Sequence, residues 1–109
     1  MGWQAFEDLP DRRWSLVGVG AEGEELVLIR AVARKLYRCP SCGGEVSIGS
    51  EHVVVRYSHP ARERSHVHWH RRCVDEGLRY ELRQLRRIPA ADATEPALEA
   101  RFARRPRRR

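Results

Sequence analysis

The chain has no run of about 18 apolar residues, and its acidic, Trp-containing start lacks the basic and apolar regions of a secretory signal. These absences argue against a membrane span and point to a cytoplasmic protein. Cysteine is scarce. There are three, an odd number, and all fall between Cys39 and Cys73 in the company of histidines, which argues against a disulfide framework and agrees with a reducing compartment. Lysine is almost absent: of 21 Lys and Arg residues only Lys35 is lysine. The glycines at 18, 20 and 23 surround Glu22, Glu24 and Glu25 but no Lys-Ser/Thr pair, which rules out a phosphate loop.

What is present is arginine, unevenly placed. Residues 1–30 carry six acidic and three basic side chains, so the overall net charge of +6 divides into −3 there and +9 in the remainder. The planar guanidinium suits phosphate contacts and stacking on bases, so an acidic partner is implied, nucleic acid first among them. The 109 residues make one domain with a core of moderate size. A metal tying distant parts of such a chain together contributes much of its stability.

The metal ligands stand out by spacing. Cys39-Pro40-Ser41-Cys42 is followed by Gly43-Gly44, and Pro and Gly permit the sharp turn that aims two thiolates at one ion. His70 and Cys73 are three apart, on one face of a helical first turn. Cys39, Cys42, His70 and Cys73 therefore form a candidate Cys₃His set, which zinc occupies in structural roles, one ion per chain. His68 is the competing histidine.

Cys39-x2-Cys42, 27 residues from Gly43 to Trp69, then His70-x2-Cys73 with Trp69 just ahead of the histidine, resembles the zinc finger of poly(ADP-ribose) polymerases. Val46-x-x-Gly49 and the run Val53-Val54-Val55 match the same pattern, and the resemblance covers roughly residues 36 to 80. Trp69-His70-x2-Cys73 is also similar to half of a LIM module, although no second ligand set follows. The polymerase resemblance implies a single structural zinc and recognition of DNA ends by backbone contact and base stacking.

In chain order, Trp3, Phe6 and Leu9 precede Pro10 and predict a short helical turn or packed arm. Two β-rich runs around an acidic turn predict a hairpin over residues 13–33. Residues 31–38 are ambiguous between strand and helix. His52–Tyr57 and Val67–Trp69 predict a second hairpin with a polar loop over 58–65 that exposes His59, Arg62 and Arg64. Val74, Leu78, Leu82, Leu85 and Ile88 make an apolar stripe that predicts one helix up to Pro89, with Arg79, Arg83 and Arg86 on its opposite face.

The expected fold is therefore α+β: a small zinc-stabilised, treble-clef-like domain over residues 1–88, with the hairpin packed on a zinc core at 36–88. Residues 89–109 follow as a linker and arginine-rich tail. The leading functional expectation is a non-enzymatic module that binds DNA or RNA with little sequence specificity through Arg62, Arg64, Arg71, Arg72, Arg79, Arg83 and Arg86. The alternative is a zinc-stapled protein adaptor or regulator, with the N-terminal hairpin adding a strand to a partner sheet. A nuclease-associated domain is a third reading, prompted by His66, His68 and His70. No carboxylate or asparagine sits where it would complete a nuclease site.

Overall fold

The computed structural model describes Phe6, residues 8–59 and residues 62–93, without the side chains of residues 59, 62–64 and 93. Trp3, the guanidinium groups of Arg62 and Arg64, and the linker and tail beyond residue 93 lie outside the described residues. The domain is α+β, mostly antiparallel sheet with a short helical segment.

The strands are β1 (Trp14–Val19), β2 (Glu25–Val32), β3 (Tyr37–Arg38), β4 (Glu45–Val46), β5 (Glu51–His59), β6 (Arg62–Trp69) and β7 (Arg83–Pro89). β6-β5-β2-β1-β7 form one five-stranded sheet, and β3 and β4 form a separate small ribbon. A continuous helical segment over 71–81 runs from α1 (Arg71–Cys73) through a π-helical turn (Val74–Leu78) to α2 (Arg79–Glu81). α3 (Ala90–Ala93) follows β7.

Period-two patterning explains the sheet. Leu16 opposes Leu28, Leu28 opposes Val55 and Val55 opposes Val67, a row of four apolar side chains across four strands. Together with Leu26 and Val53 the row packs under Val74, Leu78 and Leu82, which places the helical segment on this face. Gly18 lies where the chain crosses closest: a Cβ there would stand 3.0 Å from both Leu82 Cβ and Leu85 Cδ2. A side chain at 18 would push Leu82 or Leu85 aside, so glycine suits the close approach of β7 to β1.

Two expectations need correction. The N-terminal hairpin forms as predicted, with Leu16 through Val19 facing Leu28 through Glu25, but it does not pack on the zinc core as a separate layer. It is the middle of the sheet: β2 pairs with β5 and β1 with β7, so neither strand has a free edge to offer a partner sheet. The stripe from Val74 to Ile88 is not one helix. Leu82 turns extended at φ −95°, ψ 146°, and the chain then runs as β7, with Trp14 opposite Pro89 and Val17 opposite Arg86. Pairing with β1 satisfies backbone groups that would otherwise stay open, and Leu85 still reaches the core from the strand. The second hairpin is longer than predicted, its strands running to His59 and from Arg62.

Candidate metal centre

A second, smaller core cluster of Ala33, Cys39 and Val46, with Tyr37, Trp69 and Cys73 packed on it, lies under the β3–β4 ribbon. Trp69 packs against both clusters and so ties the ribbon to the main sheet. The turn between β3 and β4 folds as a tight knuckle. Gly43 N–H donates to the Cys39 carbonyl at 2.8 Å, Cys39 N–H to the Gly44 carbonyl at 2.9 Å, and Gly44 N–H to Cys42 Sγ at 3.3 Å. Gly43 sits at φ +76°, where a side chain is strained.

The knuckle presents two sulfurs, and the start of the helical segment presents the other two ligands. His70 is the N-cap residue and Cys73 closes α1. The ligand atoms of Cys39, Cys42, His70 and Cys73 all lie within 4.8 Å of one another, and this is the one such group among the described residues. His70 Nδ1 is 3.2 Å from Cys42 Sγ and 3.8 Å from Cys73 Sγ. These distances bracket the edge of about 3.5 Å that a tetrahedral site has with metal–sulfur bonds of about 2.3 Å and metal–nitrogen bonds of about 2.0 Å. The four residues therefore fit a metal ion.

Around the ligands the proton positions are set by neighbours. His70 Nε2 lies 2.7 Å from the Glu45 carbonyl, which can only accept, so Nε2 carries the proton and Nδ1 turns its lone pair toward the sulfurs. The same contact, more than the nearby thiols, raises the His70 pKa. Burial alone would raise the Cys39 thiol, but the N–H groups of Cys42, His70 and Ser41 outweigh it and draw the pKa down to about 7. Cys73 goes the other way, to about 11, because burial and the adjacent Cys42 and Cys39 sulfurs resist a further negative charge. Near neutral pH Cys73 therefore holds its proton unless a bound cation offsets the charge of its neighbours.

Binding of zinc near pH 7 is accordingly expected to release about two to three protons, and affinity to weaken roughly 100-fold or more from pH 7.5 to 6.5. Calorimetry in buffers of different ionisation enthalpy reads the proton count directly. A count near zero would mean that the thiols do not bind the metal.

His68, the competing histidine, is elsewhere. Its Nδ1 is 2.8 Å from His52 Nε2, and its ring stacks on Tyr37 with centroids 3.4 Å apart. It serves the packing between β6, β5 and the ribbon. β6 ends at Trp69, so His68 stays in the strand against His52 and Tyr37 while His70 caps the helical segment and turns to the cysteines, a separation that spacing alone left open.

The predicted arginine track does not assemble. Arg79 is 2% exposed, with Nε 2.9 Å from Asp75 Oδ1 and Nη1 donating to the Phe6 carbonyl. Arg71 donates to the carbonyls of Pro10 at 2.6 Å and Asp8 at 3.0 Å. Both clamp the N-terminal segment to the helix instead of facing outward. Arg83 and Arg86 are on β7, donating to the Gly20 carbonyl at 3.0 Å and to Glu25 Oε2 at 3.2 Å, while Arg72 is exposed on α1.

The structure also shows a surface that composition did not signal. Val32, Leu36 and Ile48 are exposed by 51%, 56% and 67%, all on the segments flanking the knuckle. Ala33 N–H to the Ser50 carbonyl and Gly49 N–H to the Ala33 carbonyl hold two of these segments side by side. Exposed Arg34, Lys35 and Arg38 lie along the same stretch.

The model of the Rv1322 family protein matches residues 7–75. The chain belongs to the Rv1322 family. The matched segment contains all four candidate ligands and ends within the π-helical turn, before β7. No curated protein and no solved structure matches the chain.

Proposed function

We propose that this Rv1322-family chain is a non-enzymatic adaptor module, stapled by one structural zinc ion, that docks a partner protein on the surface around the metal centre. Zinc is the ion that three thiolates and an imidazole suit best, and four protein ligands leave no open position for a reacting water. The order of knuckle, β5–β6 hairpin and ligand-bearing helical turn is that of a treble-clef-like unit, and the likeness to the polymerase-type finger supports the same ligand set. The stabilising part of the zinc is then to hold the β3–β4 ribbon, whose own buried cluster is small.

The observation that carries the adaptor reading is the exposed trio Val32, Leu36 and Ile48 beside Arg34, Lys35 and Arg38. Aliphatic side chains ringed by cations fit a protein surface with apolar pockets and an acidic rim. A single-strand binder would offer aromatic platforms for bases here. The nucleic-acid reading draws on the same cations and on the +9 of residues 31–109, but Arg79 and Arg71 no longer serve it. Nothing favours the nuclease reading, since His68 is engaged with His52 and Tyr37.

The test uses the zinc-loaded full chain. Leu36→Asp and Ile48→Asp are expected to keep zinc content and melting temperature while abolishing nuclease-resistant capture of a protein from the native cell extract. Capture of nucleic acid alone, with affinity for a DNA or RNA duplex falling steeply between 50 and 200 mM salt, would replace this reading with the phosphate-binding one.

A further inference from the structure

A cavity of about 200 Å³ lies between the β1–β2 turn, the ends of β2 and β5, and the last turn of the helical segment. Its walls are Tyr57, Trp69, Leu78 and Leu82, with Glu24 and Glu81 among its lining residues, and none of its lining residues is basic. At roughly 30 Å³ for each water-sized group, the space holds a small organic molecule of six or seven heavy atoms.

The pieces of this cavity are held in place. Glu24 Oε1 accepts the Glu22 N–H at 2.9 Å, and its carboxyl group folds over Gly20, so close that a Cβ there would stand 2.5 Å from Oε2. Arg83 donates to the Gly20 carbonyl and does not line the cavity. Trp69 Nε1 is buried and makes no hydrogen bond of standard geometry. Burial raises the pKa of the Tyr57 hydroxyl, against a smaller effect of the Trp69 indole, and the Glu24 and Glu81 carboxylates push in the same direction as burial. Both carboxylates line the same space as the two aromatic side chains.

Two aromatic walls and two carboxylates, in a chain that is otherwise strongly basic, select for positive charge on an apolar body. Ring faces attract cations through their quadrupole, most strongly when the cation is poorly hydrated, as an alkylated ammonium is. A bare ammonium would leave water behind at a higher cost, and an anion would meet both carboxylates. We infer that this cavity is a binding site for a small alkylated ammonium group, caged by Tyr57 and Trp69 and neutralised by Glu24 and Glu81. The site is separate from the partner surface at Val32, Leu36 and Ile48, and neither depends on the other.

The probe is choline, set against its neutral carbon isostere 3,3-dimethylbutan-1-ol, with the zinc-loaded full chain observed by nitrogen–proton NMR. The Trp69 indole Nε1–H signal is assigned by its loss in Trp69→Phe. Choline is expected to move that signal saturably, and the isostere to bind roughly tenfold or more weakly, the factor that cation–π attraction in a desolvated cage supports. Glu81→Gln is expected to weaken choline about fivefold or more at unchanged melting temperature. Tyr57→Leu, which keeps an apolar wall, is expected to lose the preference for choline over the isostere. A Trp69 signal that choline does not move, or equal affinity for choline and the isostere, would overturn the assignment.

Discussion

Cys73→Ala is expected to lose zinc entirely and to melt at least about 10 to 20 °C below the wild type. Apparent binding free energies of structural zinc in small fingers are about 10 to 16 kcal/mol at neutral pH, as large as the whole stability of a domain, about 5 to 15 kcal/mol. Only part of that is at stake, because the five-stranded sheet has its own core under Val74, Leu78 and Leu82. What a bound metal would hold is the ribbon, with just Ala33, Cys39 and Val46 buried in its cluster. A loss of about 3 kcal/mol already lowers the melting temperature of a chain this size by some 10 to 20 °C. Metal analysis, a calorimetric melt and amide exchange over residues 33–50 check the prediction, with exchange protection expected to vanish there first. His68→Ala, by contrast, is expected to keep one zinc per chain. Full zinc in the Cys73→Ala protein would remove the ligand assignment.

Arg79 carries the second large effect. Arg79→Glu is expected to destabilise the protein by about 3 kcal/mol or more, the cost typical of an uncompensated buried charge. The guanidinium is 2% exposed, reaches Asp75 at 2.9 Å and donates to the Phe6 carbonyl. A glutamate in its place would bury a carboxylate against Asp75 and that carbonyl, leaving the carbonyl without its Arg79 donor and Asp75 with only the longer Arg71 contact at 3.4 Å. Arg79→Met should cost less, since an apolar chain of similar length leaves no charge to satisfy, although the Phe6 carbonyl loses its donor. Asp75 is 40% exposed, so Asp75→Ala is expected to fall between the two. Urea denaturation midpoints order the three variants. An Arg79→Glu protein as stable as the wild type would overturn the burial of Arg79 and restore it to the phosphate-binding reading.

The contrast between Arg79 and the cysteines shows which features of this protein are local. That these four residues come together was legible because the geometry is written over short spans: a turn of four residues at Cys39–Cys42 and one helical step from His70 to Cys73. The hairpin at 13–33 was legible for the same reason, two β-branched runs closing on each other through a Gly-Glu turn. The choice of His70 over His68 needed the sheet, because it depends on where β6 ends: His68 is still in the strand against Tyr37 and His52, and His70 is past it.

Residues 82–89 were misread because Leu78, Leu82, Leu85 and Ile88 satisfy helical spacing, and no residue among them marks the break at Leu82. The open edge of β1, a partner more than 60 residues away in sequence, decides for strand. Instead of meeting solvent, Arg79 and its neighbour Arg71 meet the carbonyls of Phe6, Asp8 and Pro10. By itself the sequence determined what short-range geometry controls: a Cys₃His constellation, the first hairpin and an arginine-rich balance of charge. Only the tertiary structure decided which arginines stay outside, which strands form the sheet edges and where apolar side chains remain uncovered, because each depends on contacts between segments far apart in the chain.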